Sequence, residues 1–145
     1  MTMKNIQRIY LLLILGILAS CGGDDPKPLT EEEKQIKMLA KTWNLSTASV
    51  DGLDVEEWFS GLQLSFTESK SFTVENAVPP IWIASGTFEL EKSGSNYVIK
   101  RSDGVDLLIT TLNETSVSIN MSYVADDNAR TAGITGSYTF IFSAD

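Results

Sequence analysis

Between Ser116 and Val124 the chain alternates strictly. Val117, Ile119, Met121 and Tyr123 fall on one side, and Ser116, Ser118, Asn120 and Ser122 on the other. Successive side chains of a strand point to opposite faces, so this period of two predicts a strand with one oily and one wet face. The segment 134–142 repeats the pattern, with Ile134, Gly136, Tyr138, Phe140 and Phe142 against Thr135, Ser137 and Thr139, and Ile141 interrupting the polar side. Read backwards to Trp43, runs of this kind are separated by turn residues at short intervals, which predicts antiparallel strands. Eight can be drawn: Trp43–Val50, Leu62–Thr67, Ser71–Glu75, Ser85–Glu91, Asn96–Arg101, Val105–Leu112, Ser116–Val124 and Ile134–Phe142. Asp51-Gly52 ends the first. Asp103-Gly104 predicts a two-residue hairpin turn of type I′ between the fifth and sixth.

Closing such a sheet removes its exposed edges, so an all-β, up-and-down antiparallel barrel of eight strands is the expected fold. Alternation alone serves a two-sheet β-sandwich equally well. In either case Phe66, Phe72, Phe88, Tyr97, Tyr123, Tyr138, Phe140 and Phe142 point inward. An eight-stranded barrel is just wide enough for side chains to fill.

Ahead of the strands the period changes to that of a helix. Thr30-Glu31-Glu32-Glu33 has the capping-box form, a hydroxyl at the N-cap with a carboxylate three residues on. Ile36, Leu39, Ala40 and Trp43 then fall on one helical stripe. Before the helix, Gly22-Gly23-Asp24-Asp25-Pro26-Lys27-Pro28 lacks anything to pack and reads as a flexible tether. Lys4 and Arg8 precede an apolar run of 11 residues, Ile9 to Ala19, against the roughly 20 that a membrane-spanning helix needs. Leu18-Ala19-Ser20-Cys21 closes it. This is the pattern of a lipoprotein signal peptide with its lipobox, cleaved before Cys21, whose thiol and amine carry acyl chains. The domains expected are therefore 1–20 signal peptide, 21–29 tether with lipidated Cys21, and 30–145 barrel. Two or three acyl chains hold such a protein on a membrane far more firmly than one. The expected address is an outer-membrane lipid anchor, displayed at the cell surface or on the periplasmic face.

Composition narrows the chemistry. The chain has no histidine and one cysteine, which the anchor uses. Imidazole-based triads, thiolate nucleophiles, histidine metal sites and internal disulfides are therefore excluded. The formal net charge is −8, from 11 basic and 19 acidic residues. Loss of Lys4 and Arg8 would leave 9 basic against 19 acidic residues, a net −10, so nucleic acid is not an expected partner.

Leu39-Ala40-Lys41-Thr42-Trp43, Leu64-Ser65-Phe66-Thr67, Trp82-Ile83-Ala84-Ser85-Gly86-Thr87-Phe88, Lys100-Arg101-Ser102-Asp103-Gly104 and Gly136-Ser137-Tyr138-Thr139-Phe140 together resemble the lipocalin-like lipoproteins of Bacteroidetes. The likeness is to a family named only as a domain of unknown function. It implies the barrel, with a cavity for an apolar small molecule entered past loops at one end. Lipocalins often open their first strand with Gly-x-Trp, and Lys41 stands where that glycine would be.

The candidate binding residues are Trp58 and Phe59 in the first long connection and Trp82, after Pro79, Pro80 and Ile81, in the second. Loop aromatics at a barrel mouth stack on a sugar or cover an apolar ligand; alternatively they form a lid that plugs the barrel end. Asp54, Glu56 and Glu57, and separately Asp126 and Asp127, read as solvated loop charge. Asp126-Asp127-Asn128 lacks the glycine and terminal glutamate of a calcium loop. The expectation is a non-enzymatic module without cofactor or metal, binding a small apolar molecule or a glycan. The alternative is a filled barrel that contacts another envelope protein.

Overall fold

A computed structural model describes residues 22–23, 25–126 and 134–145; the leader, Cys21, Asp127 and Asn128 lie outside the described residues. Among the described residues, the helix α1 (Glu31–Leu39) precedes β1 (Thr42–Val50), β2 (Leu53–Asp54), a 3-10 turn (Glu56–Phe59), β3 (Gln63–Phe66), β4 (Ser71–Glu75) and β5 (Ser85–Ser93). β6 (Asn96–Arg101), β7 (Asp106–Leu112), β8 (Ser116–Tyr123) and β9 (Gly136–Ala144) complete the chain. Every pairing is antiparallel. Apart from β2, each strand joins the next in sequence, and β9 returns to β1 from Trp43↔Ala144 to Val50↔Tyr138. Eight strands therefore close a barrel, and the sandwich alternative falls. The ninth, β2, folds back on the end of β1 through Asp51 and Gly52, both at positive φ (48° and 82°), with Val50 opposite Leu53. The type I′ turn thus sits here.

At Asp103-Gly104 the structure corrects the expected turn. Gly104 alone has positive φ (87°), its N–H donates to the Arg101 carbonyl at 3.0 Å, and Arg101 N–H donates to Val105. A type I turn over Ser102-Asp103 followed by a left-handed glycine matches strand twist equally well. It also lets the Asp103 carboxylate reach back to the Arg101 guanidinium.

Alternation holds round the wall. In β8, Val117, Ile119 and Met121 are buried, and in β9 so are Tyr138, Phe140 and Phe142, while Ile141 faces outward at 38% exposure. Tyr97 and Tyr123 are partly buried against the same core. The eighth strand runs two residues later than expected, because its first apolar residue, Ile134, belongs to the loop that precedes it.

The capping box of α1 is present. The Thr30 hydroxyl accepts from Glu33 N–H at 3.2 Å, and the Glu33 carboxylate accepts from Thr30 N–H at 2.7 Å. These bonds hold the Glu33 carboxyl below its usual range. The helix is shorter than the expected stripe: Ala40 is its C-cap and Trp43 already lies in β1. The Trp43 indole N–H still donates to the Leu39 carbonyl at 2.9 Å, satisfying one of the carbonyls a helix end leaves open.

The two ends of the barrel differ. Across one lies α1, with Ile36 and Leu39 in the core, Glu32 paired to Lys70 in the β3–β4 turn, and Lys41 donating to the Glu114 carbonyl in the β7–β8 turn. The other end, the mouth, carries the connections β1–β3, β4–β5, β6–β7 and β8–β9.

Candidate functional site

Both long connections that the sequence singled out lie at the mouth. The 3-10 turn is seated by Val55 N–H donating to Ala48 at 2.9 Å and Leu62 N–H to Phe59 at 3.0 Å. The β4–β5 loop is held by Trp82 N–H to Val78 and Val74 N–H to Ala84. Asn76 ties the two loops together, its amide donating to the Gly61 carbonyl at 2.8 Å. Gly61 has positive φ (73°), and a Cβ there would meet that amide at 3.1 Å, so a side chain would be strained.

The three candidate aromatics divide. Phe59 (2% exposed) and Trp82 (1%) turn into the barrel, whereas Trp58 remains at the rim, 51% exposed. Inside, β9 presents Tyr138, Phe140 and Phe142 as a stack with centroids 5.9 and 6.2 Å apart. Phe59 meets Phe140 edge-on at 5.0 Å and Tyr138 at 6.2 Å; Trp82 meets Phe140 at 5.2 Å and Phe142 at 6.0 Å. Such edge-to-face pairs add to the area they bury. The loop aromatics therefore close the barrel from above, as the lid alternative has it.

Arg101 is a buried charged residue at this end. Its Nη1 donates to the Ile81 carbonyl at 2.9 Å, its Nε to Asp103 Oδ1 at 3.0 Å, and its Nη2 to the other Asp103 oxygen. The guanidinium also lies 5.5 Å from the Trp82 ring centroid and 5.7 Å from that of Phe72. It thereby fastens the β4–β5 loop to β6. No feature of the sequence marked Arg101 for this, since apart from Asp103 in its own turn its partners, the Phe72 ring, the Ile81 carbonyl and the Trp82 ring, come from β4 and the β4–β5 loop.

Where the two loops meet the start of β9, an apolar pocket of about 310 Å³ opens, lined by Trp58, Phe59, Val78, Pro79, Ile81, Ile134 and Tyr138. The polar tip among them is already used: the Tyr138 hydroxyl donates to the Ile134 carbonyl at 2.7 Å, and burial pushes its pKa upward. A second hollow of about 560 Å³ shares Trp58 and Phe59 with it and is bordered by Asp54, Glu56 and Glu57. Among the described residues no three carboxylates converge closely enough to hold a metal ion. No helix among them is long and apolar enough to cross a membrane. Compared with family models, curated proteins and solved structures, the chain matches none.

Proposed function

We propose that this chain is a cell-envelope lipoprotein whose barrel holds a small apolar molecule at its mouth, with no catalytic role. The observation that carries the reading is the pocket of about 310 Å³ between the β1–β3 and β4–β5 loops, with half-exposed Trp58 on its rim. Its size lies at the lower bound of small-molecule sites, and its lining is that of such sites, mostly hydrophobic and aromatic. A glycan fits less well. Its hydroxyls would lose water against a lining whose phenol is already bonded, and unpaired polar groups are costly to bury. Trp58 gives the pocket an adaptable wall, while Phe59 and Trp82 serve as its floor and support. The lipobox at Cys21 supports the membrane anchor.

The test is titration with 1-naphthylamine, an environment-sensitive fluorophore that is uncharged at neutral pH and small enough for the pocket. A saturable fluorescence rise that Trp58→Ala weakens by tenfold or more is expected, with folding stability within ~0.5 kcal/mol of the parent because the side chain is half exposed. A rise indifferent to that substitution would send the dye elsewhere and defeat the assignment. The second reading, a filled barrel that contacts another envelope protein, draws on the ring stack that occupies the interior. It predicts that the chain purified from its own envelope brings down a protein and no small molecule by native mass spectrometry.

A further inference from the structure

We infer that the mouth pocket selects a small amphiphilic cation, an amine on an apolar body of about ten non-hydrogen atoms. This deepens the proposed function and rests on the pocket being a binding site. At about 30 Å³ for each water-sized group, 310 Å³ accommodates a body of that size. A fused pair of aromatic rings fits; a folded partner does not.

The sign of the charge follows from how the chain distributes its ionisable side chains. Lys34, Lys37, Lys41, Lys70 and Lys92 all sit on the helix, or on strand ends and turns at the helix end of the barrel. The mouth is the opposite. Asp51, Asp54, Glu56 and Glu57 lie in the β1–β3 connection and Glu75 ends β4. Among the described residues of the mouth loops and strand ends, Arg101 is buried and committed to Asp103, and Lys100 is paired with Asp106 at 2.6 Å. Arg130, in the β8–β9 connection, lies outside the described residues. Glu56 and Glu57 have no ion-pair partner among the described residues, and Asp54 accepts the Glu56 N–H at 2.9 Å.

These carboxylates are placed where a ligand's charged end would emerge. They border the hollow that shares Trp58 and Phe59 with the apolar pocket, so the carboxylates adjoin the pocket in which an apolar body would sit. The exposed indole of Trp58 adds a ring face, and tryptophan is the aromatic that attracts cations best. An anionic amphiphile of the same shape would bring its charge towards Asp54, Glu56 and Glu57 instead.

The experiment compares three probes that share a naphthalene body: 2-naphthylmethylamine, 2-naphthalenemethanol and 2-naphthoate. Each is titrated calorimetrically into the full chain at pH 7, in low salt and in 0.5 M salt. The amine is expected to bind about tenfold more tightly than the alcohol and the naphthoate most weakly, with the amine's advantage shrinking at high salt as the carboxylates are screened. The double substitution Glu56→Gln with Glu57→Gln should bring the amine-to-alcohol ratio to within about twofold. Equal affinity for all three probes, or tightest binding of naphthoate, overturns the charge preference and leaves the apolar pocket standing. Failure of all three to bind overturns the pocket as well.

Discussion

Arg101 and Asp103 pose a contest whose outcome the burial of each partner decides. The Arg101 side chain is 1% exposed and that of Asp103 25%, so removing one is not equivalent to removing the other. Asp103→Ala leaves a guanidinium sealed between Phe72 and Trp82 with the Ile81 carbonyl as its remaining acceptor. Stranding a buried charge costs ~3–5 kcal/mol, and the partial exposure of Asp103 places this case at the lower end, ~3 kcal/mol. Arg101→Met instead keeps an apolar side chain against the rings, where sulfur packs well. It frees Asp103 to rehydrate and orphans one buried carbonyl, which costs ~1–3 kcal/mol. The aspartate substitution should therefore be the more damaging by about 1 kcal/mol, roughly 4 °C in Tm for a domain of this size. Combining them removes the stranded charge, so the double variant should be more stable than Asp103→Ala alone. Urea unfolding at pH 7, followed by tryptophan fluorescence and compared at equal m, measures all three. A double variant no more stable than Asp103→Ala would mean that the guanidinium is not desolvated in the way described.

Four further substitutions, at three positions, probe the same end of the barrel. Trp82→Ala should cost ~3–5 kcal/mol as a cavity opens against Phe140 and Phe142, whereas Trp82→Phe should cost less than half of that, because it also deletes a buried indole N–H that has no partner among the described residues; thermal melts of the pair separate the two cases, and equal losses would contradict the ring-packing account. Gly136→Ala should destabilise by ~1–3 kcal/mol, since a Cβ there would stand 2.6 Å from Val50 Cγ2 and 2.7 Å from Asp51 Oδ2 at the seam where β9 closes on β1; an unchanged urea midpoint would show that the seam yields freely. The Tyr138 phenol is raised above 10.0 by burial, with Tyr123 and Asp51 nearby. The folded state thus keeps this proton longer than the unfolded one, and the contribution is full below about pH 10 and lost as pH rises through the folded value. Tyr138→Phe should make the alkaline fall in stability shallower; an identical slope would refute the assignment.

Much of this architecture was legible because the period of two survives in strands that bury one face. β8 and β9 are the plainest cases, and β4 and β6 fall on the expected residues to the position. Closure was the inference that alternation could not make alone, since the β1–β9 ladder joins residues about a hundred positions apart. β2 escaped because two residues are too few to display a period, although Asp51-Gly52 is the turn signal that creates it. Trp43 was expected both on the helical stripe, because its spacing from Leu39 is helical, and as the first residue of a strand. The indole does bond back to that residue, but from a strand. At the mouth, Trp58, Phe59 and Trp82 are the loop aromatics that the sequence singled out, and only the first two border the pocket. Which of them plug and which border the pocket depends on the path of the backbone between Val55 and Leu62, and nothing in their spacing encodes that path.

Both flanks of the described domain leave from the helix end: Leu29 leads into α1, and Ala144 N–H donates to the Thr115 carbonyl beside the β7–β8 turn. The strands between that end and the mouth reach nine residues, as in β1, ~30 Å of chain at ~3.3 Å per residue before tilt. A bead, a fusion partner or a lipid surface attached through either flank therefore stands a full barrel height away from the entrance. Immobilised by its flanks, the molecule turns exposed Trp58 and the neighbouring Glu56 and Glu57 towards solution, at the end opposite to whatever holds it down.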